Sequence, residues 1–440
     1  MNGLMMTKPL TVSSLISHAA CFHADAEIIS VENDGSIVRT NYASVEQRAR
    51  KLASALEQVL STPGSFVGTL GWNNFRHLEI YFAVSGSGNI CHTVNPRLSA
   101  EQLVYVINQA EDELLFIERS FLPLIVPIVH QLETVKYFVV MDALDNSQVE
   151  INHAISYENL LATGTSQYCW PELDENTASS LCYTSGTTSL PKGVLYSHRS
   201  TVLHANVLAH KDGMAIGAQD TVMPVVPMFH VTAWGIPYAA AMTGCKLVMP
   251  GPKLDGVSLM NLINAEKVTM AAGVPTLWNG LLDALKETNQ TLPTLERTVV
   301  GGSSCPPSMI KAFREQYNVQ FVHAWGMTET SPLGTLNQPK AKHQKLSEEK
   351  LIHLATSQGR PPFGVELRIQ DDEGTEIPND GNTQGNLMIR GHWVINQYFK
   401  QEKTPLEDGW FPTGDIATLD ADGYLLIRDR SKDLIKSGGE

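Results

Sequence analysis

A loop of small hydroxyl residues that ends in a lysine limits what this chain can fold into. The loop reads YTSGTTSLPKG from Tyr183 to Gly193, and seven of its eleven residues are Gly, Ser or Thr. Short apolar runs on either side predict two flanking strands. The loop therefore offers hydroxyls, backbone N–H groups and one ammonium, which are the donors that bind phosphate.

The residues of this loop also allow comparison with a known nucleotide-binding pattern and with an ordinary turn. The loop departs from the nucleotide-binding pattern G-x-x-x-x-G-K-[ST], because Pro191 precedes Lys192 and no helix opens directly after the loop. An ordinary polar hairpin turn would use the same residue types. The paired hydroxyl residues and the Pro-Lys-Gly end favour phosphate binding by Thr184, Ser185, Gly186, Thr187, Thr188 and Lys192.

The loop resembles the phosphate loop of the adenylate-forming superfamily, which includes acyl-CoA synthetases, beetle luciferases and the adenylation domains of peptide synthetases. That family usually has glycine where this chain has Ser189. We expect the serine to change the mobility of the loop without abolishing binding. The resemblance implies ATP and Mg²⁺ as cofactors and CoA as a co-substrate.

A second stretch resembles the family motif aromatic-Gly-x-Thr-Glu. The resemblance implies that Trp325 lines the adenine pocket, Thr328 contacts the α-phosphate and Glu329 binds Mg²⁺. A carboxylate at a strand end near phosphates is also a natural ligand for a hard cation. Taken alone, Thr328 would as readily cap a helix. The expected ATP-binding residues around the motif are His323, Ala324, Trp325, Gly326, Met327 and Thr328.

Three further short motifs resemble parts of the same family. Gly301-Gly302-Ser303-Ser304 follows a predicted strand and resembles the stretch beside adenine and the acyl group, although a plain strand-to-helix turn is the alternative. Asp415 matches the family carboxylate that accepts the ribose hydroxyls, and Arg430 its ribose or phosphate contact. Lys432 matches the hinge. The expected ATP-binding set thus gains Gly302, Ser303, Ser304, Asp415 and Arg430.

The acyl site is expected around His230, at a predicted strand-to-helix junction. In isolation His230 would be a core histidine, but the resemblance places it where the carboxylate meets the α-phosphate. No acidic residue lies between 227 and 244, which favours an unsubstituted carboxylic acid over an amino acid. The expected catalytic residues are Thr184, Lys192, His230, Thr328 and Glu329. The expected substrate-binding residues are His230, Trp234, Gly301, Gly302, Trp325, Gly326, Met327 and Pro332.

The order of apolar runs predicts an α/β fold. Continuous apolar strands alternate with helices over residues 1–332, including a helix from Val231 to Met242, and predict two packed doubly wound sheets with flanking helices. Residues 333–429 predict a small antiparallel β-barrel-like subdomain. Residues 430–440 would form the hinge. Family members continue into a lid that carries a catalytic lysine, so we expect a chain shortened by engineering or proteolysis, without that lid.

Composition restricts the partners. The 440 residues carry a net charge of −14, which argues against nucleic acid or an anionic membrane as partner. No apolar run is long enough for a membrane span. The six cysteines are scattered without a C-x-x-C pair, which predicts a reducing, cytoplasmic location. A homodimer is a family-level expectation.

These observations predict an ATP-dependent carboxylate–CoA ligase of the medium-chain acyl-CoA synthetase branch, a class that belongs to fatty acid metabolism. It would adenylate a short- or medium-chain acid, release pyrophosphate, and transfer the acyl group to CoA with release of AMP. The alternatives are a luciferase-like or amino-acid-adenylating enzyme, and a non-catalytic nucleotide sensor with the same fold.

Overall fold

Two compact units make up the chain. The computed structural model describes residues 1, 3–142, 151–184 and 190–430. The first unit comprises Met1–Asn206 and Pro227–Pro252, and the second comprises Val207–Val226 and Lys253–Glu440. The predicted boundaries at residues 332 and 429 remain predictions.

The helices follow one another from the first unit into the second. They are α1 (Val12–Phe22), α2 (Tyr42–Val59), α3 (Phe75–Gly86), α4 (Ala100–Ala110), α5 (Leu122–Ile125), α6 (Tyr157–Ala162), α7 (His198–Ala209), α8 (Val231–Trp234), α9 (Ile236–Thr243), α10 (Gly256–Glu266), α11 (Pro275–Thr288), α12 (Pro307–Lys311) and α13 (Glu348–Thr356).

The strands alternate with these helices along most of the chain. They are β1 (Glu27–Val31), β2 (Ile37–Asn41), β3 (Phe66–Leu70), β4 (Ile90–Thr93), β5 (Asp112–Ile117), β6 (Tyr137–Val140), β7 (Ile155–Ser156), β8 (Ala178–Tyr183), β9 (Gly193–Ser197), β10 (Thr221–Pro224), β11 (Lys246–Met249), β12 (Met270–Gly273), β13 (Arg297–Val300), β14 (Gln320–Gly326), β15 (Leu333–Leu336), β16 (Val365–Gln370), β17 (Gly385–Gly391), β18 (Phe411–Leu419) and β19 (Leu425–Arg430).

Polar side chains begin many of the helices. The side chains of Asn41, Asn74 and Asp255 each accept a backbone N–H of the first turn of α2, α3 and α10. At α4 the hydroxyl of Ser99 and the side chain of Gln102 form a capping box. These bonds satisfy donors that a helix start leaves without a partner, which explains where the helices begin.

The first unit contains a mostly parallel sheet in the order β7-β6-β5-β3-β4-β8-β9, in which only β9 runs antiparallel among the described strands. Every residue of α3 is buried. This helix packs on β4 and β8 on one side and on β1, which pairs with β11, on the other. The continuous apolar strands thus correspond to a covered parallel sheet, as expected.

The predicted helix from Val231 to Met242 was wrong over its first part. Four consecutive residues, Val231 to Trp234, have φ between 46° and 56°, and Gly235 has φ 73°. The element α8 is therefore a single left-handed turn, and right-handed helix begins only with α9 at Ile236. The reason is that the spacing of apolar residues does not report the sign of φ, so a left-handed turn and a helix give the same pattern.

The second unit contains the parallel strands β10, β12, β13 and β14, in that order, with β15 antiparallel beside β14. The α/β class is therefore confirmed. A separate antiparallel sheet follows in the order β16-β17-β18-β19 around the buried side chains of Ile369, Leu387 and Leu425.

The barrel-like form expected of the small β region was wrong. Among the described residues, its edge strands β16 and β19 each pair with one neighbour, so the sheet is open. Four short strands are too few to close on themselves with a filled interior. Within the same described part of the chain, no helix combines the length and apolar character needed to cross a membrane.

Candidate active site

Two hydrogen bonds close the base of the phosphate loop. The N–H of Thr184 donates to the carbonyl oxygen of Lys192 (3.0 Å), and the N–H of Lys192 donates to the Thr184 hydroxyl (3.1 Å). The strands below are in register, with Tyr183 opposite Gly193. Pro191 is buried and Lys192 exposed, and the hairpin sets the backbone of Lys192 beside the predicted hydroxyl of Thr184.

Part of the predicted site falls outside the described residues. The predicted residues concerned are Ser185, Gly186, Thr187 and Thr188 of the loop, Ser189 beside them, and the hinge residue Lys432. Their roles remain predictions.

The strand that leads into the loop touches the turn that follows His230. The hydroxyl of Thr93 lies 3.1 Å from the sulfur of Cys182, the second residue before Thr184. Burial raises the pKa of the Cys182 thiol to about 11, while that hydroxyl and the backbone N–H groups of Thr232 and Val231 act in the opposite direction. The first unit therefore brings the base of the phosphate loop and the His230 region together.

His230 stands at the head of the left-handed turn and is half-buried. Burial lowers the pKa of its imidazole, and the nearby charge of Arg97 lowers it further. The ring is therefore neutral at pH 7. A neutral imidazole beside an anionic carboxylate can donate or accept a hydrogen bond without forming a salt link that would weaken the nucleophile.

A second group of predicted residues gathers in the second unit. The indole N–H of Trp325 donates to Oδ2 of Asp415 (3.1 Å), and Nε of Arg430 lies 3.4 Å from Oδ1. Burial raises the pKa of Asp415, while Arg430 and the Trp325 hydrogen bond oppose the rise. An aromatic ring, a carboxylate and a guanidinium thus lie together, and these are the three groups predicted to contact the nucleoside.

Two glycines shape the backbone around Trp325. A Cβ added at Gly334 would overlap the Trp325 ring, and one added at Gly326 would overlap the carbonyl oxygen of Pro332. The register between β14 and β15 shifts between Trp325 and Gly326. A bulge of this kind redirects a side chain at the end of a strand. It leaves Trp325 and Met327 half-buried rather than in the core.

Glu329 is buried in the turn between β14 and β15, with 6% of its surface exposed. Its Oε1 accepts a hydrogen bond from the hydroxyl of Tyr398 (2.7 Å), and its backbone oxygen accepts the N–H of Ile395 (2.8 Å). A rigid carboxylate is a hard oxygen donor of the type that Mg²⁺ prefers. The residue therefore fits its predicted role as a ligand for the ion of MgATP.

The Gly301–Ser304 stretch lies beside the Trp325 strand. Val300 and His323 are in register on β13 and β14, so Gly301 adjoins Ala324. Gly302 has φ 85°, a conformation that favours glycine, and Ser303 and Ser304 are exposed. His323 is buried, and its Nδ1 donates to the carbonyl oxygen of Thr356 (3.1 Å).

Sequence analysis missed the residues that hold the predicted ones in place. Tyr398 was missed because it lies 69 residues from Glu329. Asn73 and Tyr81, which bind the backbone of Met228 beside His230, were missed for the same reason. No motif marks these residues, since their role depends only on contacts between distant parts of the chain.

The chain matches the family model "AMP-binding enzyme" over residues 17–399. A 3-methylmercaptopropionyl-CoA ligase from Ruegeria lacuscaerulensis is 57% identical over 100% of this chain and 82% of its own length. A medium-chain-fatty-acid–CoA ligase from Ectopseudomonas oleovorans is 54% identical over 100% of this chain and 81% of its own. The solved anthranilate–CoA ligase with anthranoyl-AMP has a TM-score of 0.87 at 22% identity, over 100% of this chain and 82% of that one.

The structural likeness agrees with the fold, and the two relatives cover the whole of this chain. The predicted superfamily is therefore confirmed: the chain belongs to the AMP-binding family of enzymes.

Proposed function

We propose that this chain joins 3-methylmercaptopropionate, or another short- or medium-chain carboxylic acid, to CoA at the expense of ATP. The general class is confirmed, since relatives that cover the whole chain are acid–CoA ligases, which use ATP, Mg²⁺ and CoA. The substrate within that class is the proposal. The observation that carries it is the 57% identity to a 3-methylmercaptopropionyl-CoA ligase over the full chain.

The acyl-side turn supports an acid without an amino group. No carboxylate lies between residues 227 and 244 to pair with a substrate ammonium. The nearby cation is Arg97, whose guanidinium lies 5.9 Å from the centre of the Phe229 ring. A positive charge beside the site favours an anionic substrate and disfavours a cationic one.

The proposed reaction has two steps. A carboxylate oxygen attacks the α-phosphorus of ATP, the bond to the β-phosphate oxygen breaks, and pyrophosphate leaves with the electron pair. The sulfur of CoA, as thiolate, then attacks the carbonyl carbon of the acyl-adenylate. The acyl C–O bond breaks, and AMP leaves as the thioester forms. Both steps conserve electrons, so neither an oxidant nor a reductant is needed.

We assign the first step to positioning and charge neutralisation rather than acid–base catalysis. The hydroxyl of Thr184 and the ammonium of Lys192 would bind the phosphates, and Thr328 the α-phosphate. Asp415 would accept the ribose hydroxyls while Trp325 lies against adenine. Glu329 would bind the magnesium ion of MgATP, which neutralises phosphate charge when bound.

His230 would act at the carboxylate. Because burial and Arg97 keep its pKa low, the imidazole stays neutral and leaves the carboxylate negatively charged for attack. Trp234, at the other end of the turn, would contact the acyl chain. A change of domain arrangement at Lys432 would prepare the site for CoA.

The proposal also includes a cytoplasmic location and a homodimeric assembly. All six cysteines are free thiols, which fits a reducing cytoplasm where ATP and CoA are available. A homodimer remains a prediction from the family.

The test is carboxylate-dependent release of pyrophosphate by the natural full-length protein, with and without CoA. The panel contains 3-methylmercaptopropionate, straight-chain acids from short to long, and several amino acids. We expect release with the short acids, formation of acyl-CoA when CoA is present, and the highest kcat/KM with 3-methylmercaptopropionate. Release with amino acids alone would make the chain an amino-acid-adenylating enzyme. ATP binding without release from any acid would leave a nucleotide sensor.

A further inference from the structure

The turn after His230 has an unusual backbone. Val231, Thr232, Ala233 and Trp234 have φ values of 46°, 49°, 50° and 56°, and none of them is Gly or Asn. Left-handed backbone crowds the Cβ of an L-residue against the following carbonyl, so each of the four residues is strained. Such segments persist only where the surroundings over-determine them.

Both backbone polar groups of Met228 are bound just before the turn. Its N–H donates to Oδ1 of Asn73 (2.7 Å), and its carbonyl oxygen accepts the hydroxyl of Tyr81. Asn73 is 3% exposed and Tyr81 is fully buried. Tyr81 belongs to α3, the fully buried helix, so one side of this attachment lies in the core of the first unit.

The side chain of Phe229 is enclosed as well. The centre of its ring lies 5.7 Å from the centre of the Trp72 ring, in an edge-on contact. The Arg97 guanidinium lies 5.9 Å from the centre of the same Phe229 ring. Two consecutive residues before His230 are thus held, one through its backbone and one through its ring. The strained turn starts one residue further on, after His230 with its φ of −130°, and ends before the first residue of α9, Ile236.

We infer that Asn73 and Tyr81 are positioning residues for the acyl site. By binding Met228 they keep the left-handed turn in place, and the turn determines where His230 and Trp234 stand toward the acyl chain. The inference rests on the proposed function, because it takes this turn to line the site for the carboxylic acid.

The test variant is Tyr81→Phe, which removes the hydroxyl that donates to Met228 and keeps the aromatic ring. We expect KM for the carboxylic acid to rise by about fivefold, because small displacements of positioning groups have effects of this order. The ratio of kcat/KM between 3-methylmercaptopropionate and a longer straight-chain acid should change in parallel. KM for ATP should stay within about twofold, since the nucleotide contacts are untouched. Asn73→Ala should show the same pattern.

The matched control is Tyr42→Phe. Tyr42 is also fully buried in the first unit, and its hydroxyl also donates to a backbone carbonyl, that of Cys245 (2.8 Å). This variant loses the same kind of bond away from the turn, so it should lose stability without any change in KM or substrate ratio. If the two variants change KM and the substrate ratio equally, the positioning role is wrong.

A second measurement needs no activity. Ala233→Gly removes the Cβ strain at the centre of the turn. If Tyr81 supports a strained turn, Tyr81→Phe should lower Tm less in the Ala233→Gly background than in wild type, whereas Tyr42→Phe should lower it equally in both. Equal losses from Tyr81→Phe in both backgrounds would overturn the inference. Wild-type protein without carboxylate-dependent turnover would overturn the proposed function instead, and this cycle would still decide the role of Tyr81.

Discussion

Single residues in the second unit hold Trp325, the proposed adenine contact, in position, and Gly334 is one of them. Its missing Cβ leaves space for the Trp325 ring, which donates to Asp415. Gly334→Ala should therefore displace the indole. We expect a loss of about 1–3 kcal/mol in the free energy of unfolding and a rise of about tenfold in KM for ATP, equivalent to one lost hydrogen bond. Chemical denaturation and steady-state kinetics would measure the two effects.

Gly280→Ala is the control for this prediction. Gly280 lies in α11 of the same unit, and an added Cβ would meet its nearest atom, the N of Gly256, at 3.7 Å. Alanine is the better helix former, so this variant should be neutral or more stable, with unchanged KM. An unchanged KM for ATP in Gly334→Ala would show that the Trp325 ring does not contact adenine.

Tyr398 leads to a prediction about the metal ion. Its hydroxyl holds one carboxylate oxygen of Glu329, and burial together with the Glu329 charge raises the tyrosine pKa. Tyr398→Phe leaves the carboxylate without that support. We expect the Mg²⁺ concentration for half-maximal activity to rise by about tenfold, as for other residues that orient a metal ligand. A magnesium titration at saturating ATP would measure it.

The comparison for that titration is Tyr424→Phe. Tyr424 is also buried in the second unit, and its hydroxyl donates to the carbonyl oxygen of Gln338 (2.8 Å) rather than to Glu329. The magnesium dependence of this variant should equal that of wild type. If both variants shift it alike, the effect is one of general stability and Glu329 is not the ligand.

At the scale of elements, α1 and α7 are joined by a titratable bond. The N–H of Val12 donates to Nδ1 of His198 (3.1 Å), which requires a ring without a proton on Nδ1. Burial lowers the pKa of His198 from 6.5 to about 4. Between these values the unfolded chain binds a proton at this residue and the folded chain does not. The contribution of His198 to stability is therefore complete above pH 6.5 and is lost as the pH falls toward 4.

The variant His198→Asn tests the predicted direction of this pH dependence of stability. The asparagine keeps an acceptor oxygen but does not titrate. The free energy of unfolding of wild type, relative to this variant, should fall by about 1.4 kcal/mol for each pH unit below 6.5. Urea unfolding at several pH values would measure the difference, with His18→Asn, at an exposed position of α1, as the control. Parallel pH curves for wild type and His198→Asn would contradict the bond.

Elements with a simple period were predictable, and those with local strain were not. The continuous apolar runs that form β5 and β6 fitted the predicted parallel sheet. Helix α10 was missed, although Asp255 caps it and apolar residues recur along it. The turn at Val231 was mistaken for right-handed helix because the spacing of apolar residues does not report the sign of φ. Local pattern reports burial, and it carries no information about contacts made far along the chain.

At the scale of the whole molecule, the predicted site divides in the same way, into residues that the sequence marks and contacts that only the fold shows. The motif residues Trp325 and Asp415 were named from sequence, and the structure joins them by one hydrogen bond across 90 positions. Asp415 lies within β18, opposite Arg430. The strand was missed because its polar residues interrupt the apolar pattern. The enzyme class was therefore readable from the motifs, while the contacts that support the motif residues required the fold.

The charge of the whole molecule gives the last prediction. The chain carries −14, and its substrates ATP, CoA and a carboxylate are anions as well. The long-range field therefore opposes their approach, and local cations such as Lys192 act only at short range. Added salt screens the field beyond about 10 Å at 0.1 M. We expect kcat/KM for ATP to rise by about two- to threefold between 10 and 150 mM KCl, the reverse of an enzyme that attracts its substrate through a basic surface.

Charge reversal at exposed acidic positions separates this effect from ion binding at the site. Asp372 and Glu373 lie exposed in the turn after β16. Replacing both by lysine changes the net charge from −14 to −10, since each replacement adds two positive charges. The double variant should have a higher kcat/KM at 10 mM KCl and a weaker salt dependence, with little change in kcat. A kcat/KM that falls with salt in wild type would mean that local cations such as Lys192 and Arg430 outweigh the net charge. The approach of ATP would then be governed by the site alone.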